Sequence, residues 1–259
     1  MSRALIFDCD GVLADTERDG HLPAFNEMFR AMGLPVHWSS EEYHRLLSIG
    51  GGKERLATLF ANDLAAPANL PKTVNERSEL LAAWHKDKTE RYADRIRSGA
   101  IPGRPGVLRL VQQAVGEGWQ LAVASTSAEK SVRAVLEHVV GFDLAERFQI
   151  FAGDVVPRKK PAPDVYLLAL REMGVRSADA VVIEDSAVGL QAALGAGLTT
   201  VITTSSYTAE DDFTGASLVV SSLGAPPNEP ARTLMDPHGL AVEGKVELAH
   251  LAQLLSGQP

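Results

Sequence analysis

Short apolar runs that end in acids or hydroxyls recur along this 259-residue chain, and segments with helix-like spacing lie between them. Residues 4–7 lead into Asp8-Cys9-Asp10-Gly11, residues 121–124 into Ser125-Thr126-Ser127, and residues 180–183 into Glu184-Asp185-Ser186. Residues 199–202 form a fourth run, with weaker candidates at 148–152 and 218–220. Helical patterns at residues 107–115, 129–139, 164–173 and 187–194 separate them. Uninterrupted short apolar runs suit strands buried on both faces, and their alternation with helices predicts an α/β fold: a Rossmann-like parallel sheet with helices on both sides.

Residues 16–98 break this rhythm. They carry helical patterns at 17–32, 41–47, 53–60 and 73–97, and no convincing strand. Gly33-Leu34-Pro35, Gly50-Gly51-Gly52 and residues 67–71 separate these patterns. The expected organisation is a discontinuous sheet domain, residues 1–15 and 99–259, with a helical domain inserted at 16–98. Residues 14–16 and 98–103 are the expected hinges. The Pro- and Gly-rich stretch 224–239 reads as a partly mobile loop before a last helix at about 245–255.

Four elements carry chemistry, and each is ambiguous alone. Asp8 and Asp10 stand two apart at a strand end, where alternation lets both carboxylates share one space. Two like charges there require either a proton or a cation, although Asp-Cys-Asp-Gly also suits a plain polar turn. An EF-hand calcium loop is excluded, because its later ligands do not follow at the required spacing. Ser125-Thr126-Ser127 suits phosphate, or simply an N-cap at Ser127. Arg158-Lys159-Lys160-Pro161-Ala162-Pro163-Asp164 is a basic cluster held rigid by prolines ahead of a helix, with a solvated charge run as its default reading. Glu184 and Asp185 suit a hard cation, with a buried N-cap as the alternative for Asp185.

All four elements follow apolar strands, and open parallel sheets bind ligands at the carboxyl ends of their strands. In this order, the motif AspXxxAspGly, the strand-end hydroxyl, Lys-Pro-Ala-Pro-Asp and Glu-Asp-Ser resemble the haloacid dehalogenase superfamily of phosphohydrolases. The helical insert after the first motif resembles its subgroup with a helical cap. The likeness spans roughly residues 3–221. It implies Asp8 as the nucleophile that forms an aspartyl-phosphate, and Asp10 as general acid and then general base. It further implies Ser125 and Lys160 as holders of the phosphoryl group. Mg²⁺ would sit on Asp8, the backbone carbonyl of Asp10 and Asp185, with Glu184 either a direct ligand or a partner behind it. The second aspartate, absent from the dehalogenases of the superfamily, favours phosphoryl transfer from oxygen and leaves phosphatase and mutase open. A sensor without catalysis is the reading from another class.

Substrate choice belongs to the insert, since the sheet domain handles the phosphoryl group that all substrates share. Gly50-Gly51-Gly52-Lys53-Glu54-Arg55 is not a P-loop, because Leu47 stands where the opening glycine belongs and Glu54 follows Lys53. The glycines suit either an interhelical turn or a seat for a second anionic group. With Glu41-Glu42-Tyr43 upstream, this stretch resembles the CbbY group, whose members include pentulose bisphosphate phosphatases. That likeness implies Glu17, His21, Tyr43, Gly51, Gly52, Lys53 and Arg55 as sugar and distal-phosphate contacts, with Thr126, Ser127 and Lys130 contributing from the sheet domain.

Composition narrows the rest. With 25 Lys+Arg against 33 Asp+Glu, the net charge of −8 argues against nucleic acid as a partner. The one cysteine, Cys9, forms no intrachain disulfide. No run reaches the length of a membrane span and no signal-peptide layout opens the chain, so the expectation is a cytoplasmic enzyme with a small-molecule partner, its oligomeric state left open. The seven histidines lack zinc-hydrolase spacing, and neither a dinucleotide fingerprint nor a serine-hydrolase elbow occurs.

Overall fold

A computed structural model describes residues 2–60 and 73–257. The expected turn at 67–71 lies outside them. The chain builds one seven-stranded sheet in the order β3-β2-β1-β4-β5-β6-β7, from β1 (Ala4–Phe7), β2 (Gln120–Ser125), β3 (Phe148–Ala152), β4 (Ala180–Glu184), β5 (Thr199–Thr203), β6 (Leu218–Val220) and β7 (Thr233–Met235). Strands β1 to β6 pair in parallel, and β7 closes the edge antiparallel to β6. The α/β expectation holds, including both weaker strands.

The residues of β1 explain its central place. Leu5 and Phe7 join the apolar cluster on one face, while Ala4 and Ile6 join the cluster on the other. Helices α5 (Val107–Gly116), α6 (Glu129–Val140) and α10 (Leu248–Ser256) cover the first face. Helices α8 (Asp164–Met173) and α9 (Ala187–Gly195) cover the second. Because β1 pairs with β2 on one side and β4 on the other, its carboxyl end lies at the switch point of the strand order, where such sheets leave a crevice.

Between β1 and α5 the described residues form the helices α1 (Leu22–Ala31), α2 (Ser40–Leu46), α3 (Gly52–Ala57) and α4 (Val74–Arg97). They bury a cluster of their own, including Phe25, Met28, Phe29, Trp38, Tyr43, Leu56 and Trp84. Serine and threonine open two of them: Ser39 and Glu42 form a capping box on α2, as do Thr73 and Glu76 on α4.

The structure corrects three expectations. Residues 17–32 are not one α-helix; a π-turn at Glu17–His21 precedes α1, whose first turn holds Pro23. Proline has no N–H to continue a helix through this point, yet it fits a first turn. Residues 224–239 are not merely a loop, because they contain β7, which pairs with β6 at the sheet edge where a proline-rich segment is tolerated. The last helix begins at Leu248 rather than near 245, with Glu247 at its N-cap position. The short α7 (Phe142–Ala145) carries no sequence signal of its own.

Candidate active site

The carboxyl ends of β1, β2 and β4 deliver Asp8, Ser125 and Glu184 to one crevice, with Asp185 the next residue beyond β4. The helices of residues 17–97 roof it. The resulting cavity of about 400 Å³ is lined from below by Asp8, Asp10, Ser125, Lys160 and Asp185, and from above by Glu17, His21, Gly51, Arg55 and Lys88.

Lys160, from the loop ahead of α8, is buried and donates to Asp8 Oδ1 and Glu184 Oε1, each at 2.7 Å, and to the Ala124 carbonyl at 2.9 Å. It is therefore no solvated charge run. Burial opposes its charge, but Asp8 and Glu184 together hold its pKa well above the ordinary lysine value. Burial, aided by repulsion from Glu184 and Asp10 and opposed by Lys160, raises Asp8 to about 7. Asp185 is likewise pushed well up, by burial first and then by Glu184 and Asp8.

Glu184 is saturated. Its Oε1 accepts from Lys160 and from the Tyr166 hydroxyl at 2.9 Å, and its Oε2 accepts from the Asp185 N–H at 2.9 Å and from Ser186. Asp8, Glu184 and Asp185 bring carboxylate oxygens within 4.8 Å of one another. Among them Asp185 has no cationic partner at ion-pair distance among the described residues. Its carboxylate fills the space that a Cβ on Gly11 would need, 2.0 Å from its Oδ2. Two buried carboxylates with oxygens within 4.8 Å of each other, each costly to ionise, fit a divalent cation held by Asp8 and Asp185.

Asp10 faces away from this cluster. Its Oδ1 accepts from Thr16 Oγ1 at 2.5 Å and from His21 Nε2 at 2.8 Å, and its Oδ2 accepts from Ser127 Oγ at 2.5 Å. Burial alone would raise its pKa, but His21, Ser127 and Thr16 together hold it below the usual carboxylate range. The two aspartates of one motif thus receive opposite environments. Lys88 Nζ lies 2.5 Å from His21 Nδ1, and the His21 ring stacks on Tyr92 at 4.0 Å. An ammonium donating to Nδ1 leaves Nε2 to carry the proton toward Asp10. A second carboxylate-rich set, Asp10, Glu17 and His21, also lies close enough to hold a metal, but its groups are spent on one another and on Thr16, Ser127 and Tyr43.

Of the insert residues singled out from sequence, Tyr43 donates to Glu17 Oε2 at 2.5 Å and accepts from Arg55 Nη1 at 2.9 Å, and Arg55 also bonds the Ile49 carbonyl. Glu17, His21, Gly51, Gly52 and Arg55 line the cavity, as do Thr126 and Ser127 from below. Three residues do not join them, the first being Tyr43, which is buried against Glu17 and Arg55. Lys53 turns outward and pairs with Asp154, and Lys130 lines a separate groove with Arg97, Arg133 and His138. Lys88, Thr16, Tyr92 and Tyr166 complete the network without having been singled out. For Lys88 the signal was a lysine on the stripe Trp84, Lys88, Tyr92, which is otherwise aromatic.

A family model for haloacid dehalogenase-like hydrolases matches residues 2–197. The chain belongs to that family. It is 49% identical over 229 residues to a CBBY-like protein of Arabidopsis thaliana, covering 88% of this chain and 72% of that protein. It is 43% identical over 225 residues to the plasmid-borne protein CbbY of Cupriavidus necator, covering 86% and 87%. A crystal structure of a CbbY variant from Rhodobacter sphaeroides in complex with xylulose 1,5-bisphosphate matches with a TM-score of 0.78 at 42% identity, over 86% of this chain and 95% of that one. Within the haloacid dehalogenase-like hydrolases this chain is thus a phosphatase of the CbbY-like group. No helix among the described residues is long and apolar enough to cross a membrane.

Proposed function

We propose that this enzyme hydrolyses a small sugar phosphate, a pentulose bisphosphate such as xylulose 1,5-bisphosphate, through an aspartyl-phosphate on Asp8 and with Mg²⁺ as cofactor. The observation that carries the reading is the roofed cavity. It sets a buried carboxylate, a buried lysine and a hydrogen-bonded acid–base group around one space large enough for a sugar phosphate. Likeness to the CbbY structure that holds xylulose 1,5-bisphosphate supports the choice of substrate.

Mg²⁺ on Asp8, Asp185 and the Asp10 carbonyl would draw charge off the phosphoryl oxygens and keep Asp8 ionised. Lys160 fixes one Asp8 oxygen, which leaves the other to attack phosphorus. As the Asp8–phosphorus bond forms, the bond to the sugar oxygen breaks, and Asp10 delivers the proton which that oxygen needs. A phosphate entering beside Asp10 raises the cost of its negative charge and so favours the protonated form required for this step. In the second step Asp10 takes a proton from water, the water oxygen attacks phosphorus, and Asp8 leaves with its carboxylate restored. His21, Ser127 and Thr16 hold Asp10 ionised beforehand, as a base requires. Ser125 supplies a donor to the transferring group, and Lys160, its three N–H donors spent on Asp8, Glu184 and the Ala124 carbonyl, supplies positive charge beside it.

The proposal includes residues 16–98 as a cap that moves on its hinges against the core of residues 1–15 and 99–259. Ala14 forms a bridge with Gly103, so the two linkers cross side by side, as a shared hinge requires. It also includes a cytoplasmic location and a purely small-molecule partner. Phosphate release from xylulose 1,5-bisphosphate and from sugar monophosphates, by wild type and Asp8→Asn with Mg²⁺, tests the reading. Preference for the bisphosphate, lost in Asp8→Asn, is the expected result. Turnover retained by Asp8→Asn would refute the nucleophile, and isomerisation of a hexose phosphate outrunning phosphate release would make the enzyme a mutase.

A further inference from the structure

Arg104 stands where the chain returns from the insert, just ahead of α5. Its main-chain N–H donates to the Leu13 carbonyl at 2.8 Å, and its guanidinium reaches the carboxyl ends of three strands. Nη1 donates to the carbonyls of Gly11 and, at 3.1 Å, of Thr203, while Nη2 donates to those of Thr204 at 2.6 Å and Ser221 at 2.8 Å. Each terminal N–H of the fork is thus matched to a carbonyl of its own, one beyond β1, two at the end of β5 and one beyond β6.

All these acceptors are neutral, and Arg104 makes no ion pair among the described residues. Burial lowers its pKa from the ordinary arginine value, opposed by the more distant charges of Asp185 and Asp15. A cation drawn from water without a counterion is costly, so attraction to an acid does not explain its place. What a guanidinium offers here is a planar fork of fixed geometry, which an ammonium lacks.

The Gly11 contact leads to the reacting groups. Gly11 has φ of +79°, its N–H donates to the Ala14 carbonyl at 2.9 Å and its carbonyl accepts from Arg104, so both of its polar groups are fixed. The Asp185 carboxylate occupies the space over its missing side chain. The peptide bond that precedes Gly11 carries the Asp10 carbonyl.

We propose that Arg104 is a positioning residue for phosphoryl transfer: by tying the Gly11 carbonyl to the ends of β5 and β6, it sets the Asp10–Gly11 turn and with it the Asp10 carbonyl and carboxylate. It acts through Gly11 and touches neither substrate nor metal. The inference rests on the proposed roles of Asp10 and Mg²⁺, and it adds a residue of the return linker to a site otherwise built from strand ends and the insert.

Arg104→Lys tests it, because an ammonium keeps the charge but cannot face all four carbonyls with three N–H groups. Assayed well below its melting temperature, this variant should lose about ten- to thirtyfold in kcat and need about tenfold more Mg²⁺ for half-activation, with KM for the sugar phosphate within about threefold of wild type. The rise in melting temperature on adding Mg²⁺ to chelated protein reads the site without turnover, and at saturating Mg²⁺ it should fall to about half the wild-type rise. Arg109→Lys is the control. Arg109 Nη2 holds the carbonyls of Leu223 at 2.8 Å and Gly224 at 3.1 Å, further along the segment after β6, and has no bond to Gly11. It should lower the melting temperature and leave kcat and the Mg²⁺ response within about twofold of wild type. Should Arg104→Lys not fold, Arg104→Gln carries the test with the same expected losses. Wild-type kcat and Mg²⁺ response in a folded Arg104 variant, equal losses in Arg109→Lys, or Arg104 variants that never fold would each overturn the positioning role. A wild type that neither releases phosphate nor gains stability from Mg²⁺ would instead remove the reading beneath the inference, and the inference with it.

Discussion

Glu184→Gln separates two roles that one strand-end carboxylate can play. Both Glu184 oxygens are spent on donors, Lys160 and Tyr166 on one and the Asp185 and Ser186 groups on the other. A glutamine amide must turn its NH₂ toward one of these donor sets, leaving at least one buried donor without an acceptor at a cost of about 1–3 kcal/mol. It also removes one of the two carboxylates that compensate buried Lys160. Breaking a buried pair outright costs about 3–5 kcal/mol, but Asp8 still holds Lys160 at 2.7 Å and the repulsion between Glu184 and Asp8 is relieved, so only part of that loss is felt. We expect a net destabilisation of about 2–3 kcal/mol, a fall in melting temperature of about 4–10 °C for a chain of this length. With Lys160 less firmly placed, kcat should fall by about tenfold to a hundredfold, while the Mg²⁺ concentration for half-activation stays within about threefold of wild type. The acid limb of the pH–rate profile should move down, because removing the Glu184 charge makes Asp8 easier to ionise. Melting curves and phosphate release across Mg²⁺ concentrations read all of this. If the variant instead needs more than about tenfold more Mg²⁺ and recovers wild-type kcat when saturated, Glu184 is a metal ligand and the positioning argument is wrong.

Two further outcomes follow from the buried charges. Lys88 is pushed down to about 7, burial outweighing the pull of Glu17 and Asp10. Between pH about 7 and 10.5 the unfolded chain therefore binds the extra proton, so wild type gains stability from Lys88 as pH rises, and its cost is greatest at and below neutrality. Lys88→Met should raise the melting temperature most near pH 6–7 and progressively less toward pH 10, while lowering kcat through the loss of its bond to His21; a stability gain that grows with pH would refute the assignment. For Asp8 the sign reverses. Its folded pKa of about 7 lies above the ordinary value of 3.8, so metal-free protein binds the extra proton and loses stability as pH rises between them. Mg²⁺ favours the ionised pair of Asp8 and Asp185, so the rise in melting temperature on adding Mg²⁺ after chelation should grow from pH 5 to 7.5, and a rise that is flat or shrinks with pH would count against that site.

How much of the site can be read from sequence depends on whether backbone or side-chain packing delivers the residue. Asp8, Ser125 and Glu184 are legible because a parallel sheet with β1 between β2 and β4 forces their strand ends together whatever the loops do. The opposite environments of Asp8 and Asp10 are not legible, since they arise from Lys160, far along the chain, and from His21, Thr16 and Ser127 converging on one carboxylate. Lys160 itself looks like surface charge until the fold closes over it. Lys53 and Lys130 fail as cavity residues for a reason periodicity states only faintly. Around Lys130 the buried positions of α6 are Ser131, Val132, Val135 and Leu136, which turns the lysine off that face. In α3 the buried residues are Arg55 and Leu56, which leaves Lys53 for the rim. A motif fixes which residues are neighbours along the chain, but the helix stripe decides which of them meets substrate. In this insert the stripe assigned the interior to Arg55 and Lys88 and left Lys53 to pair with Asp154 and Glu54 with Lys159.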